Sequence, residues 1–201
     1  SFQGSAPTFG SNLKFFFDYQ IMYMYMRYFM CNYSGRQNDI QGYGEIDKGM
    51  FLTGIPFIDS IWEGDYDKLP TQMKENKGRN VYYMLPLLLG SIGLIWQLRN
   101  GKKGKESFLL TFILFFMTGL AIVLYLNQTP YQPRERDYAY AGSFYAFAIW
   151  IGFGMLGIMS LINKLVKKPE VSACVASVAC LLVPVQMASQ NWDDHDRSNR
   201  Y

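Results

Sequence analysis

Four stretches of this chain carry no charged residue at all: Val81–Leu98, Ser107–Leu126, Tyr138–Asn163 and Val171–Gln190. A helix needs roughly 20 mostly apolar residues, at ~1.5 Å rise each, to cross ~30 Å of hydrocarbon. All four stretches approach that length. Averages conceal this, because charged residues make up 17% of the chain, a value a soluble domain shares. Position decides the matter. Charges are confined to the connections, and four such windows in series are not the pattern of a buried soluble core. The fold expected is all-α: a polytopic membrane helix bundle of about four transmembrane helices plus one interfacial helix.

The connections orient the bundle. Arg99–Lys105 reads RNGKKGK, with four basic residues and no acid; Asn163–Glu170 reads NKLVKKPE, with three basic residues. The alternate connection, Asn127–Asp137, sets Arg134 and Arg136 against Glu135 and Asp137. Basic short loops stay in the cytoplasm. Segments 33–80, 127–137 and 191–201 then share the outer face. Segment 33–80 holds eight acids and six bases, a near balance compatible with that side. Tyr82, Tyr83 and Trp96 near the ends of the first window, and Tyr125, Tyr138 and Tyr140 around one connection, suit the membrane interface.

Four regions follow. Residues 1–32 are a polar lead-in and an aromatic helix. Residues 33–80 form an extracytoplasmic loop region rich in glycine. Residues 81–190 are the four-helix transmembrane region, and 191–201 start an extracytoplasmic domain. In the first region Phe16, Tyr19, Tyr23, Met26 and Met30 recur at helical spacing and define a stripe. Gln20 and Arg27 border it, while Met22, Tyr25 and Phe29 face away. With Asp18, Gln20 and Arg27 in the segment, a helix lying in the interface is favoured over one that crosses. Ile55–Trp62 is apolar enough to dip into the membrane surface or cap the bundle. Pro86 and Pro184 fall inside apolar windows and predict kinks that membrane bundles tolerate. In the third window Gly142 with Ala146, and Ala148 with Gly152, are small residues four apart, which lets helix backbones approach. Cys31, Cys174 and Cys180 read as small apolar filler.

Candidate chemistry is sparse. The sequence NQTPYQPRERDYAY stiffens at Pro130 and Pro133, then presents Arg134, Glu135, Arg136 and Asp137 at the mouth of the third window. Two guanidiniums at a membrane surface match the oxygens of a lipid phosphate or diphosphate. An internally paired cluster anchoring the loop is an equal reading of the same spacing. A second loop site consists of Arg36, Asn38 and Asp39, which suit a sugar or phosphate, or equally organise the loop. Asp193, Asp194, His195 and Asp196 do not converge as metal ligands, because neighbours on a helix diverge, and His195 is the single histidine. Acids opening a helix are the better reading there. No metal site, cofactor or nucleic-acid partner is indicated, and no nucleotide, nucleophile-elbow or metalloprotease motif occurs.

The strings FFFDYQIMYMYMRYFMCNYSGRQNDIQG, NVYYMLPLLLGSIGL, LYLNQTPYQPRERDYAYAGSFYAFAIWIG and PVQMASQNWDDHDRSNRY resemble one family. Its members are bacterial multi-pass membrane proteins, long without an assigned function, related to the protein O-mannosyltransferases of the GT-C glycosyltransferase superfamily. The resemblance implies a C-terminal part of a GT-C-like membrane domain in the bacterial inner membrane. It implies a first membrane half upstream that carries the acidic catalytic base, and a periplasmic region downstream, often with tetratricopeptide repeats. It implies transfer of a mannose-like sugar from a polyprenyl-phosphate donor to protein Ser or Thr hydroxyls. The partners implied are membrane lipid, that donor and a protein acceptor. No catalytic residue carries over to this chain; Arg134, Arg136, Glu135 and Asp137 are the donor-phosphate candidates. The competing expectation is a non-catalytic membrane scaffold that anchors a periplasmic protein-interaction domain. Transport fits less well, since the apolar windows lack ionisable residues.

The charge asymmetry generates a test. In a background without native cysteines, a cysteine at Gln132 is expected to react with an impermeant maleimide added to intact cells. A cysteine at Gly101 is expected to react only once the inner face is opened. The reverse pattern inverts the orientation.

Overall fold

The computed structural model describes residues 7–42, 45, 47–61, 64, 68–129 and 136–195. Nearly everything regular in it is helix. An N-terminal helical run comprises α1 (Phe9–Phe15), a π-helical segment (Phe16–Met26) and α2 (Arg27–Tyr33). A loop layer follows with β1 (Gly35–Arg36), α3 (Pro56–Asp59), α4 (Thr71–Lys74) and β2 (Asn80–Val81). The bundle then consists of α5 (Leu85–Arg99), α6 (Gly101–Thr118), α7 (Leu120–Leu126), α8 (Ala141–Val166) and α9 (Pro169–His195).

Three of these helical spans are long and apolar enough to cross a membrane: Gly101–Leu126, Tyr138–Val166 and Pro169–Trp192. Their outward faces leave Leu110, Met117, Tyr145, Leu181 and Val185 uncovered. In water such contiguous apolar surface drives association; in lipid it meets its own kind. The architecture is compatible with a multi-pass membrane protein.

The first apolar window behaves differently from its reading. Its opening residues leave the helix for the loop layer. Val81 pairs with Gly35 in a two-stranded antiparallel ribbon. Tyr83 and Met84 then take left-handed backbone angles, φ 54° and 55°. Helix α5 therefore begins at Leu85 and has 15 residues, about 22 Å of rise. Pro86 sits in its first turn, where a missing N–H is harmless, and makes no kink. Pro184 does lie inside its helix, α9.

The N-terminal stripe is also corrected. Hydrogen bonding from each residue to the fifth before it widens the helix over Phe16–Met26 and resets which residues share a face. Gln20 and Tyr25, five apart, are both buried; so are Arg27, Phe29, Cys31 and Tyr33. Gln20, Arg27, Tyr25 and Phe29, expected to border the stripe or face away from it, thus join the contact face beside Phe16, Met26 and Met30 of the stripe, while Met22 is exposed. Tyr25 meets Tyr140 edge-on at 5.6 Å, and Phe29 and Tyr33 pack on Phe147 at 4.9 and 4.6 Å.

Glycine sets the closest helix approach. A Cβ on Gly93 would strike the Trp150 carbonyl, and one on Gly154 would strike the Leu89 carbonyl. Helices α5 and α8 therefore touch backbone to backbone. The small residues read from the sequence contribute unequally. Gly142 faces Thr118, and Ala146 is fully buried. Gly152 has open space where its side chain would be. Above the glycines, Gln97 is 1% exposed, and its amide links three helices. It donates to Ser107 Oγ (2.8 Å) and accepts from Trp150 Nε1 (2.9 Å).

The chain reverses after each long helix. Asn100 joins α5 to α6, and Lys167–Lys168 join α8 to α9. At the opposite end, Asn191 near the close of α9 donates to the Tyr82 hydroxyl (2.7 Å) and accepts from Asn80 Nδ2 (3.1 Å). The loop layer, the α7–α8 connection and the end of α9 thus share one end of the bundle. The two Lys-rich connections share the other.

Alanine at Gly93 or Gly154 is expected to destabilise the bundle by about 3 kcal/mol, because a backbone carbonyl must move. Alanine at Gly152 should change stability by less than about 0.5 kcal/mol. Denaturation in mixed micelles measures both; equal stability of all three variants would refute the backbone contact.

Candidate functional site

The end of the bundle opposite the Lys-rich connections collects the polar groups. Helix α7 stops because Asn127 adopts a left-handed conformation, φ 41°. Its side chain is then held by Gln20, whose Nε2 donates to Asn127 Oδ1 (2.9 Å) and to the Gln128 carbonyl (3.0 Å). Gln128 is buried, and its own Nε2 has no hydrogen-bond partner among the described residues. A buried amide donor without an acceptor is unfavourable by about 1–3 kcal/mol.

On the far flank of the same connection, Arg136 is exposed. Its carbonyl accepts from Ala139 N (3.0 Å) in the short 3-10 turn Asp137–Tyr140 that opens α8. Tyr138 projects outward, whereas Tyr140 is buried against Tyr25. Ser143 Oγ caps the turn by donating to the Tyr140 carbonyl (2.7 Å). Arg134 and Glu135 lie outside the described residues, as do Pro130 and Pro133. Of Asp137 the backbone alone is described.

The second group is organised inward. Asn38 is 1% exposed, and its oxygen accepts from Gly49 N (2.8 Å) and Ile40 N (3.1 Å). Its Nδ2 donates to the Asp47 carbonyl (2.9 Å). Those bonds hold the 38–49 loop closed and engage both ends of the amide. Arg36 Nε donates to the Gly78 carbonyl (3.1 Å), and Asp39 Oδ1 accepts from Asn76 Nδ2 (3.1 Å). Arg36 and Asp39 therefore join segment 36–39 to segment 76–78. The three residues do come together, around loop backbone. Nearby, Lys48 Nζ lies 3.1 Å from Glu45 Oε1. That hydrogen bond, and then the Glu45 charge, raise the lysine pKa.

Three further polar residues are buried: the sequence reading passed over Asp59 and Gln97 and placed Arg27 at the border of a stripe. Asp59 is buried, with Oδ1 accepting from Thr53 N and Thr53 Oγ1, both at 2.8 Å, and Oδ2 accepting from Gly54 N at 2.9 Å. Arg27 is buried, donates to the Gly49 carbonyl (2.7 Å) and stacks over the Tyr23 ring at 4.5 Å. Gln97 is the third. For Gln97 a signal existed: a lone amide in the apolar run Leu94–Leu98.

The tail departs from its reading. The acids at 193 and 194 were expected to open a helix; α9 instead continues through His195, so they belong to its last turn. Residues 196–201 lie outside the described residues. Among the described residues no group of three or more His, Cys, Asp or Glu is placed to hold a metal ion.

An apolar cavity of about 450 Å³ begins at this end. Pro86, Leu89, Met155, Leu181, Pro184 and Met187 line it, between α5, α8 and α9. It starts within a turn of Gln186, whose Nε2 donates to the Val81 carbonyl (3.3 Å). The arrangement offers an apolar slot, polar donors and an exposed guanidinium at one end of the bundle.

Comparison with protein-family models, curated proteins and solved structures finds no match to the chain.

Replacing Asn38 by alanine removes the acceptor of the buried Gly49 N and of Ile40 N, and the donor to the Asp47 carbonyl. We expect a loss of about 2 kcal/mol and faster protease cleavage between residues 38 and 49. Alanine at Asp39, which is exposed, should cost under about 1 kcal/mol. Equal cleavage of both variants and the parent would show that Asn38 does not hold the loop.

Proposed function

We propose that this chain is the donor-side part of a bacterial membrane glycosyltransferase. The enzyme transfers a mannose-like sugar from a polyprenyl phosphate to Ser or Thr hydroxyls of a protein. The observation that carries the reading is the α7–α8 connection. It holds at Gln128 a buried amide donor without an acceptor among the described residues, and an exposed guanidinium at Arg136. A phosphate supplies acceptors of the kind both groups lack. The apolar slot between α5, α8 and α9 has the chemistry of an isoprenoid tail. The family resemblance supplies the reaction class.

In this reading α5 crosses with the three longer spans, as the shortest of four passes. The Lys-rich connections face the cytoplasm, and 33–80, 127–137 and the tail face the periplasm. Attack by the acceptor hydroxyl on the sugar carbon breaks the bond to the lipid phosphate, which leaves with the electron pair. A general base takes the hydroxyl proton, and fixed positive charge stabilises the departing phosphate. The base belongs to a part of the protein outside this chain. Arg134 and Arg136, with Glu135 and Asp137 beside them, supply the positive charge.

The test is sugar transfer by the full-length protein from a polyprenyl-phosphate donor to a protein acceptor. A charge-assisted hydrogen bond contributes on the order of 1.5–3 kcal/mol, or roughly ten- to a hundredfold in rate. Alanine at the arginine that meets phosphate, Arg134 or Arg136, should lower transfer by that factor at unchanged protein level. Lysine should restore it in part, since an ammonium lacks the bidentate fork. Two well-folded variants that transfer at the parent rate would remove the phosphate site. A full-length protein with no transfer from any such donor would favour the membrane scaffold.

A further inference from the structure

The other end of the bundle holds a second cavity, of about 420 Å³, between α5 and α8. Its walls grade from apolar to cationic. Ile92 and Ile95 line the deeper part by their place along α5, Leu161 lies about one turn short of Lys164 on α8, and Trp96 lies one turn below the end of α5. Arg99, Asn100, Ser160 and Lys164 complete it. No carboxylate is among its lining residues.

The floor of this cavity is a consequence of glycine. Gly157 brings α8 against α5 so closely that a Cβ would sit 2.7 Å from Ile92 Cγ2. Trp96 is braced from below by a stacked Phe153 ring at 5.9 Å. Arg99 and Lys164 each occupy the last turn of their helix and are exposed. Neither carries an ion pair or side-chain hydrogen bond among the described residues. A cation there suits the helix dipole, and among the described residues no acceptor meets the N–H donors of either side chain.

The neighbouring start of α6 adds to the positive field. Asn100 is its N-cap but makes no capping hydrogen bond through its side chain. The first turn contains Lys102 and Lys103 and no acid. Cations at the positive end of a helix dipole repel it. The charge on the cavity lining is therefore wholly positive where the apolar slot reaches the helix ends, with Glu106 on α6 and Glu170 at the start of α9 outside the lining.

We infer that this cavity binds the phosphate headgroup of an anionic phospholipid from the leaflet at the Lys-rich end. Arg99 and Lys164 take the phosphate oxygens, Asn100 donates at the rim, Ser160 donates about a turn deeper, and an acyl chain lies along Ile92, Ile95 and Leu161. Charge complementarity selects an anionic over a zwitterionic lipid. The graded lining selects a lipid over a free anion, since half of the cavity offers an inorganic ion nothing. The site does not depend on sugar transfer.

Native mass spectrometry of the chain, released from micelles doped with phosphatidylglycerol or phosphatidylcholine, tests this. Phosphatidylglycerol should be retained and phosphatidylcholine should not. Each neutralised cation should weaken retention about fivefold, so Arg99→Gln with Lys164→Gln should lose about 25-fold. Lys167→Gln with Lys168→Gln removes the same charge outside the cavity and should lose much less. Arg99→Lys should keep most of the binding, which separates loss of the site from loss of fold. Equal losses from the two glutamine pairs would reduce the effect to general surface charge and overturn the site. Equal retention of the two lipids would do the same. Displacement of phosphatidylglycerol by millimolar inorganic phosphate would assign the cavity to a soluble anion and refute the lipid.

Discussion

The α5–α8 contact is the constraint on which the rest of the structure depends. Gly93 and Gly154 allow two helix backbones to meet, and each replaces a side chain with a neighbouring carbonyl. Dispersion is strongest at such short range, and in lipid there is little hydrophobic force between helices to substitute for it. The approach also brings Trp150 within 2.9 Å of Gln97, and Gln97 within 2.8 Å of Ser107 on α6. A buried amide that must find partners in an apolar bundle specifies one register of three helices. Both cavities flank this contact, one toward each end of α5.

The loop layer is built by a different rule. It has little apolar interior, so its irregular backbone is satisfied by side chains. Asn38, Asp59, Arg27 and Ser34 each bond to backbone groups that no helix or sheet would pair. Ser34 donates to the Leu52 carbonyl at 2.6 Å, and a Cβ on Gly35 would press on the Asn80 carbonyl. This layer is fastened to the bundle through Asn80, Tyr82 and Asn191. The helical part is held by packing, and the loop part by polar accounting.

Two ends of unlike chemistry result. One end combines an exposed arginine, a buried amide donor and an apolar slot. The other combines two exposed cations with a cavity between apolar helix faces. The proposed amphiphile sites lie one at each of these ends. A bundle whose long helices reverse at every connection must present its connections alternately at each end. The two proposed sites fall one at each end of that alternation.

What the sequence by itself determined is the helical class, the places where the chain reverses and the charge difference between the two ends. These follow from the absence of charge over long apolar windows, and hydrophobicity is a property each residue carries wherever it sits. The candidate connection at Arg136 was legible for the same reason, as charge beside an apolar window. The tertiary structure decided what needed partners. Gln20 and Arg27 looked like a polar border, yet they are buried, because a π-helical run changed the period and distant residues supplied hydrogen bonds. Val81–Met84 looked like the start of a span, yet ribbon pairing with Gly35 withdrew them from the helix. Gly93 and Gly154 do the closest packing, not Ala148 and Gly152, because the facing carbonyls belong to another helix. Period and hydrophobicity are local and can be read along a chain; a partner 50 or 100 residues away, as the Trp150–Gln97 and Gln20–Asn127 bonds show, exists only once the chain has folded.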